Sequence, residues 1–118
     1  MGLDTIATTQ RDDGNWEPAP DEPFEGLELC GGMYSGGSSS SSIRGKVYAE
    51  LVEEATGESL YQERIEPARV TGLARRLRAA VDEAKRNETL EIDPQEAEDL
   101  ARWFEVCAER GYAVEGWW

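Results

Sequence analysis

Three stretches with apolar residues at helical spacing occupy the middle of the chain, and this pattern restricts the possible folds more than any other feature. Apolar residues recur every three or four positions there, which predicts amphipathic helices over about 42–56, 67–86 and 94–110. Toward the two ends, apolar and polar residues alternate, which predicts short strands at 2–9, at 26–30 and after Gly111. Helices grouped between terminal strands predict an α+β fold, in which a small, mostly antiparallel sheet packs with about three helices.

The ends of the predicted helices carry recognisable capping residues. Asp93 is suited to be the N-cap of the third helix, with Pro94 as its first residue and Glu96 completing a capping box. Pro67 is predicted to open the second helix, and Ser42 or a serine just before it to cap the first. These local signals fix the predicted helix boundaries more closely than periodicity does.

Two polar segments interrupt the predicted elements. Residues 10–25 contain three prolines, and residues 31–42 consist almost entirely of glycine and serine; both compositions are typical of flexible loops. A length of 118 residues corresponds to one domain, predicted to span 1–118.

The chain contains no histidine, which excludes a Ser-His or Cys-His nucleophile and histidine metal ligands. Two cysteines alone make no zinc site, so no metal or cofactor is expected. No apolar run is long enough to span a bilayer, and the first residues lack the regions of a signal peptide. We therefore expect a cytoplasmic protein without membrane contact, in which Cys30 and Cys107 are free, largely buried thiols.

The net charge of −13 is unevenly distributed. Residues 1–30 and 87–118 each carry −7, whereas residues 31–86 carry +1 and nine of the twelve basic residues. The whole molecule repels nucleic acid, so direct nucleic-acid binding is not expected. Because the central segment is not acidic, it is still suited to bind a compact anion. The acidity of the two ends has a simpler alternative explanation, which is solubility in a salty cytoplasm.

The glycine-rich segment leads into a predicted helix start and therefore resembles an anion site in its chemistry. Glycines allow backbone amides to approach a phosphate, helix N-terminal amides attract anions, and an arginine adds two donors. The predicted site residues are Gly31, Gly32, Ser35, Gly36, Ser42, Arg44 and Lys46. The spacing is not that of a P-loop, and a mobile surface loop before a capped helix is the alternative interpretation.

Aromatic residues are the second candidate binding feature. Tyr61 and Trp118 are the predicted stacking residues for a flat ligand, although aromatic residues are more commonly part of a core. They are chosen from a larger aromatic set suited to clasp such a ligand: Tyr34, Tyr48, Tyr61, Tyr112, Trp117 and Trp118. The arginines of the second helix are expected to pair with the acidic terminal segments, or alternatively to neutralise a polyanion.

Four segments, MGLDT (1–5), LELCGGMYSG (27–36), RGKVYAELVEEATGESLYQERI (44–65) and FEVCAERGYAVEGWW (104–118), resemble a small family of prokaryotic and phage-borne proteins. The resemblance spans nearly the whole chain and implies that the four segments belong to one domain. The family has no assigned activity, so the resemblance implies no catalytic residue. Relatives carried by phages imply an anti-defence or host-takeover role.

Three functions remain open from the sequence. The first is a non-enzymatic protein that binds a small phosphorylated, nucleotide-like ligand, as a sensor or by sequestering a signal. The second is an acidic inhibitor or DNA mimic that binds a basic partner protein, and the third is a carboxylate- and metal-dependent enzyme acting on nucleotides. Open sheet edges and tryptophans near the end also make a homodimer compatible with the sequence.

Overall fold

The α+β prediction is confirmed by the computed structural model, which describes residues 2–31 and 40–118. Within these residues the helices are α1 (Gly45–Thr56), α2 (Pro67–Asn87) and α3 (Pro94–Arg110), and a short 3₁₀ helix spans Glu22–Phe24. The strands are β1 (Asp4–Gln10), β2 (Trp16–Pro18), β3 (Ser42–Ile43) and β4 (Ala113–Trp117), and every pairing between them is antiparallel.

β1 is the central strand of the sheet. β4 pairs with it along one edge, from Asp4 opposite Trp117 to Thr8 opposite Ala113. The other edge is shared by β3 and β2, one after the other: the Ala7 amide donates to the Ser41 carbonyl, and the Ala7 carbonyl accepts from Ala19. In an antiparallel strand both groups of one residue point to the same side, which places β2 and β3 on one edge.

The two shortest strands were not predicted. β2 lies inside the predicted loop 10–25, and β3 lies where the first helix was predicted to begin. The predicted strand at 26–30 is wrong, since these residues form no regular element. Strands of two or three residues depend on pairing with β1 rather than on their own sequence pattern, which explains why alternation did not find them.

The apolar stripes of the helices form one core with the inner face of the sheet. α2 contributes the buried residues that its periodicity predicted: Val70, Leu73, Ala74, Leu77 and Val81. Trp103 is the largest fully buried side chain and was not predicted; its ring centroid lies 5.4 Å from that of Phe24 and 4.9 Å from that of Phe104. The 3₁₀ helix is therefore held to α3 by aromatic packing.

The predicted helix ends are largely confirmed. The Asp93 carboxylate accepts from the amides of Gln95 and Glu96, as an N-cap does, and Pro94 follows it. Gly57 and Gly111 end α1 and α3 with positive φ angles, which a glycine adopts without strain.

The two cysteines are both free thiols. Cys107 is buried in α3, and its burial raises the pKa of the thiol well above the usual value. Cys30 is exposed, so the prediction that both thiols are buried is wrong for Cys30, which lies in an irregular stretch rather than on a helix face. No helix among residues 2–31 and 40–118 is long and apolar enough to cross a membrane.

An ion-pair network joins the outer faces of α2 and α3. Arg78 donates to Glu98 and Glu105, and Lys85 donates to Glu98 at 3.0 Å. These hydrogen bonds, from Lys85 first and then from Arg78, lower the pKa of Glu98. The prediction that helix arginines pair with the acidic end of the chain is confirmed for Arg78, whereas Arg69 pairs with Glu58 of the central segment.

We expect Gly45→Ala to destabilise the fold, because a β-carbon at Gly45 would collide with the buried Thr5 hydroxyl. Overpacking of this kind costs about 1–3 kcal/mol. Gly72→Ala in α2 is the matched control: its β-carbon would meet only the flexible end of Arg76 at 3.3 Å, and helix propensity should add about 0.5–1 kcal/mol. Urea denaturation of both variants tests this, and a loss of stability in neither would show that α1 does not pack on Thr5.

We expect Glu98→Gln to lower stability at neutral pH by roughly 1 kcal/mol or less, as for a partly exposed ion pair. Because the folded-state pKa of Glu98 is lowered, its stabilising effect is complete above the unfolded value of 4.5 and is lost as pH falls through the folded value. The difference from the parent protein should therefore shrink as pH falls below 4.5. Glu83→Gln, an exposed substitution on α2, should show no such pH-dependent difference in denaturation experiments.

Candidate functional site

The two ends of the glycine-rich segment meet beside the sheet. Gly31 forms a bridge with Ile43, and the Arg44 amide donates to the Cys30 carbonyl at 2.7 Å. Residues 31 and 43 therefore lie side by side at the edge of the sheet. Three predicted site residues, Gly32, Ser35 and Gly36, lie outside the described residues.

The entry to this segment is held by a buried tyrosine. The Tyr48 hydroxyl accepts from the Cys30 amide at 3.0 Å and donates to a Glu96 carboxylate oxygen at 2.6 Å. Burial, and then the hydrogen bond to Glu96, raise the pKa of Tyr48, so the phenol stays protonated across the physiological range. The predicted capping-box role of Glu96 is wrong: its carboxylate accepts a hydrogen bond from Tyr48, which lies 48 positions away in the chain.

The return of the segment is held by three other elements. The Trp103 indole donates to the Ser40 carbonyl at 3.1 Å, and the Ser41 amide donates to an Asp21 carboxylate oxygen at 2.8 Å. The Ser41 carbonyl accepts from β1 through the Ala7 amide at 2.9 Å. Because Trp103 is fully buried in α3, the end of the segment has a fixed position relative to the core.

The start of α1 differs from the prediction. Ser42 belongs to β3 and is not a helix cap; the N-cap is Arg44, whose side chain makes no capping hydrogen bond. Pairing of Ser42 and Ile43 with β1 and burial of Ile43 in the core keep these residues extended. The Lys46 amide donates to the Leu3 carbonyl and the Val47 amide to the Arg44 carbonyl, so two of the first-turn amides have partners within the protein. An anion at this position depends on side chains more than on helix amides.

Four buried polar side-chain atoms of the described residues have no hydrogen-bond partner: Thr5 Oγ1, on the same sheet face as Ile43, and Thr8 Oγ1, Ser42 Oγ and Arg44 Nε. Side chains alternate along a strand, so Ser42 and Arg44 point away from the core face on which Ile43 packs. Ser42 Oγ and Arg44 Nε are buried and have no hydrogen-bond partner, and the same is true of Thr8 Oγ1 on β1. Ser42 is 4% exposed and Thr8 is 3% exposed. A buried polar group without a hydrogen-bond partner lowers the stability of the folded state by about 1–3 kcal/mol. Native proteins contain few such groups, so each of them needs a physical explanation.

The register of the sheet adds two residues to this face. Asp4 lies opposite Trp117 on β4, and continuing the pairing of Thr5 with Ile43 by one position brings Arg44 beside Asp4 on the other edge. Asp4 is fully buried and Trp117 is 45% exposed. The Trp117 indole and the Asp4 carboxyl group thus belong to paired residues, and Arg44 directly follows β3 at the other edge of β1. Trp117 was considered among the aromatic residues suited to a flat ligand, but it was not predicted as a site residue or grouped with Ser42 and Arg44.

The predicted stacking residues lie elsewhere. Tyr61 and Trp118 contact each other edge to face, with ring centroids 5.8 Å apart, beyond the outer edge of β4. They are 45% and 51% exposed, so the alternative that they complete the core is wrong for both. Arg44 follows β3, two strand spacings or about 10 Å from β4. The structure thus brings Tyr61 and Trp118 together but not with Ser42 and Arg44, and Lys46 is exposed on α1.

Among residues 2–31 and 40–118, no group of three or more cysteine, aspartate or glutamate side chains is arranged to hold a metal ion. The candidate site of the described chain is the largely buried sheet face that includes Thr8, Ser42, Asp4 and Trp117, together with Arg44 after β3. We refer to it below as the polar sheet face.

In comparisons with known proteins, no protein-family model, curated protein or solved structure matches the chain. The resemblance to a phage-borne family accordingly stays a prediction.

We expect Tyr48→Phe to destabilise the protein by about 1–2 kcal/mol, because it leaves the Cys30 amide and the Glu96 carboxylate without their partner. Urea denaturation measures the loss, and hydrogen exchange at the Cys30 amide should become faster. Tyr61→Phe removes the same hydroxyl from an exposed side chain and should change stability by less than about 0.5 kcal/mol. Equal stability of the two variants would show that the Tyr48 bridge does not hold the segment.

Proposed function

We propose that the protein is a non-enzymatic binding protein for a small phosphorylated ligand, whose phosphate is held on the polar sheet face by Arg44 and Ser42. The observation that carries the proposal is the buried Arg44 Nε and Ser42 Oγ, which have no hydrogen-bond partner in the protein. A phosphate oxygen accepts from both groups, so binding would offset a desolvation cost that the free protein bears.

The choice of an anion follows from the donor chemistry. A guanidinium has only donors, arranged to match the oxygens of a phosphate, and a serine hydroxyl adds one more donor. Several cations of the central segment already have acidic partners, including Arg64, Arg69, Arg78 and Lys85. The Arg44 side chain stands outside these ion pairs, which supports its use for an external anion.

Trp117 is the aromatic residue best placed for the rest of the ligand. It lies about 10 Å, or two strand spacings, from the end of β3 that Arg44 follows, and nearly half of its surface is exposed. A nucleotide-like molecule has a flat ring and a phosphate group separated by a sugar, which fits an indole and a guanidinium separated by one strand. Trp117 thus takes the stacking role that was first predicted for Tyr61 and Trp118.

The proposal retains Gly31 at the entry of the segment and an auxiliary charge from Lys46. Gly32, Ser35 and Gly36 keep their proposed role as backbone and hydroxyl donors. The biological role we propose is that of a cytoplasmic sensor or a protein that sequesters a signal, with the phage-borne resemblance favouring an anti-defence setting.

Calorimetric titration and thermal shift with inorganic pyrophosphate, nucleoside phosphates, cyclic nucleotides and ADP-ribose test the proposal. A ligand at 100 times its Kd adds about 2.7 kcal/mol of stability, which for this size is a Tm rise of roughly 10 °C. Arg44→Met should abolish the rise, whereas Arg75→Met, which removes the same charge from an exposed position on α2, should retain it.

Ser42→Ala gives a sharper test because its two effects have opposite signs. Removing a buried hydroxyl that has no partner should leave the free protein unchanged or stabilise it by up to about 1 kcal/mol. Ligand affinity should nevertheless fall about tenfold, the loss of one charge-assisted hydrogen bond. A ligand that binds Ser42→Ala and Arg44→Met as tightly as the parent protein would refute this site.

A further inference from the structure

A cavity of about 320 Å³ opens at the outer edge of β4, away from Ser42 and Arg44. Its lining consists of Glu63, Arg64, Glu115, Gly116 and Trp117. Gly116 allows a close approach of the neighbouring backbone, because a β-carbon there would meet the carbonyls of Leu60 and Gln62 at 2.6 and 2.7 Å. The segment before α2 can therefore close against β4, where the Gly116 amide donates to the Gln62 carbonyl.

One wall of this cavity already binds a guanidinium. The Arg64 side chain pairs with Glu115 at 3.3 Å, and its guanidinium carbon lies 4.6 Å from the centre of the Trp16 ring. A carboxylate and an indole face together stabilise a cation by charge and by the ring quadrupole. The cavity lining also includes the exposed carboxylate of Glu63 and the indole of Trp117, the same two kinds of group.

Aromatic surface continues from the cavity onto the adjoining edge. Trp118 is 51% exposed and contacts Tyr61, which is 45% exposed. Tryptophan and tyrosine are the residues most enriched at the energetic centres of protein interfaces, and adjacent exposed aromatics on a strongly acidic chain mark an interaction surface. The cavity and these two residues form a continuous surface, which we call the β4-edge surface.

We propose that the β4-edge surface docks a basic partner protein by taking one of its arginine side chains into the cavity between Glu63 and Trp117. Charge complementarity supports this occupant: the chain carries −13, and residues 87–118, which include β4, carry −7. Trp118 and Tyr61 would cover the apolar stem and neighbouring residues of the inserted arginine. A second copy of this chain is a poorer occupant, because two molecules of charge −13 repel each other.

A fluorescence-anisotropy titration tests the proposal with a labelled peptide of three arginines flanked by glycine and serine. The matched peptide carries citrulline in place of arginine, which keeps the shape and removes the charge. The arginine peptide should bind and the citrulline peptide should not, and binding should weaken from 50 to 500 mM salt. Equal binding of both peptides would overturn the proposal.

Substitutions locate the binding on the surface. Glu63→Gln and Trp118→Ala should each lower the affinity for the arginine peptide by about three- to tenfold, which is the effect of losing one cation–π or interface contact. Glu83→Gln removes the same charge from α2 and should leave the affinity unchanged. Thermal denaturation checks that each variant is folded. Equal losses in Glu63→Gln and Glu83→Gln would show attraction by net charge only and overturn the cavity assignment.

Self-association is the competing occupant, and sedimentation velocity distinguishes it. A concentration-dependent dimer that Trp118→Ala abolishes would replace the basic partner with a second copy of the chain. Trp117 belongs to both proposed surfaces, so the two proposals are tested at other residues: Arg44→Met and Ser42→Ala test the phosphate ligand, and Glu63→Gln tests the arginine cavity.

Discussion

Strand β1 is the element on which the described fold depends, because both of its edges are hydrogen-bonded and both of its faces are buried. Its residues from Asp4 to Thr8 are at most 5% exposed. β4 occupies one edge, β3 and β2 share the other, and the neighbouring Leu3 carbonyl accepts from the first turn of α1. A strand in this position buries its polar side chains along with its apolar ones. The polar sheet face is therefore a consequence of where β1 lies, and the desolvation cost of its unpartnered Ser42 and Thr8 hydroxyls motivates the proposed ligand.

The helices were predictable from sequence and the short strands were not, for a physical reason. Asp93, Pro94 and Gly111 act within one helical turn, so their capping effect is visible in neighbouring residues. β3 has two residues, and its extended form depends on Thr5 and Ile6, which lie some forty positions earlier. The same distance explains why Ser42 was assigned to a helix: its local neighbours fit a cap, and only the pairing with β1 shows otherwise.

Two residues of the candidate site, Ser42 and Arg44, were predicted from the sequence, but the element that positions Ser42 was predicted wrongly. Ser42 and Arg44 were expected to lie together at a helix start; they lie instead on one face of a sheet, which adds Thr8, Asp4 and Trp117 to the group. The side chains that hold the segment before them were missed altogether. Trp103 is 63 positions from its partner Ser40, and Tyr48 is 48 positions from its partner Glu96. A local sequence pattern does not predict pairs that are so far apart in the chain.

The acidity of the chain bears on the two proposed interactions in opposite directions. At long range, a net charge of −13 repels a phosphorylated ligand and attracts a basic protein. Added salt screens both effects, so it should speed the approach of the anion and slow that of the basic partner. Once bound, a phosphate beside the buried Arg44 Nε is shielded from salt, whereas an arginine beside the exposed Glu63 is not. The overall charge is thus compatible with an anion site, because the local donors on the polar sheet face govern affinity while the net charge governs encounter.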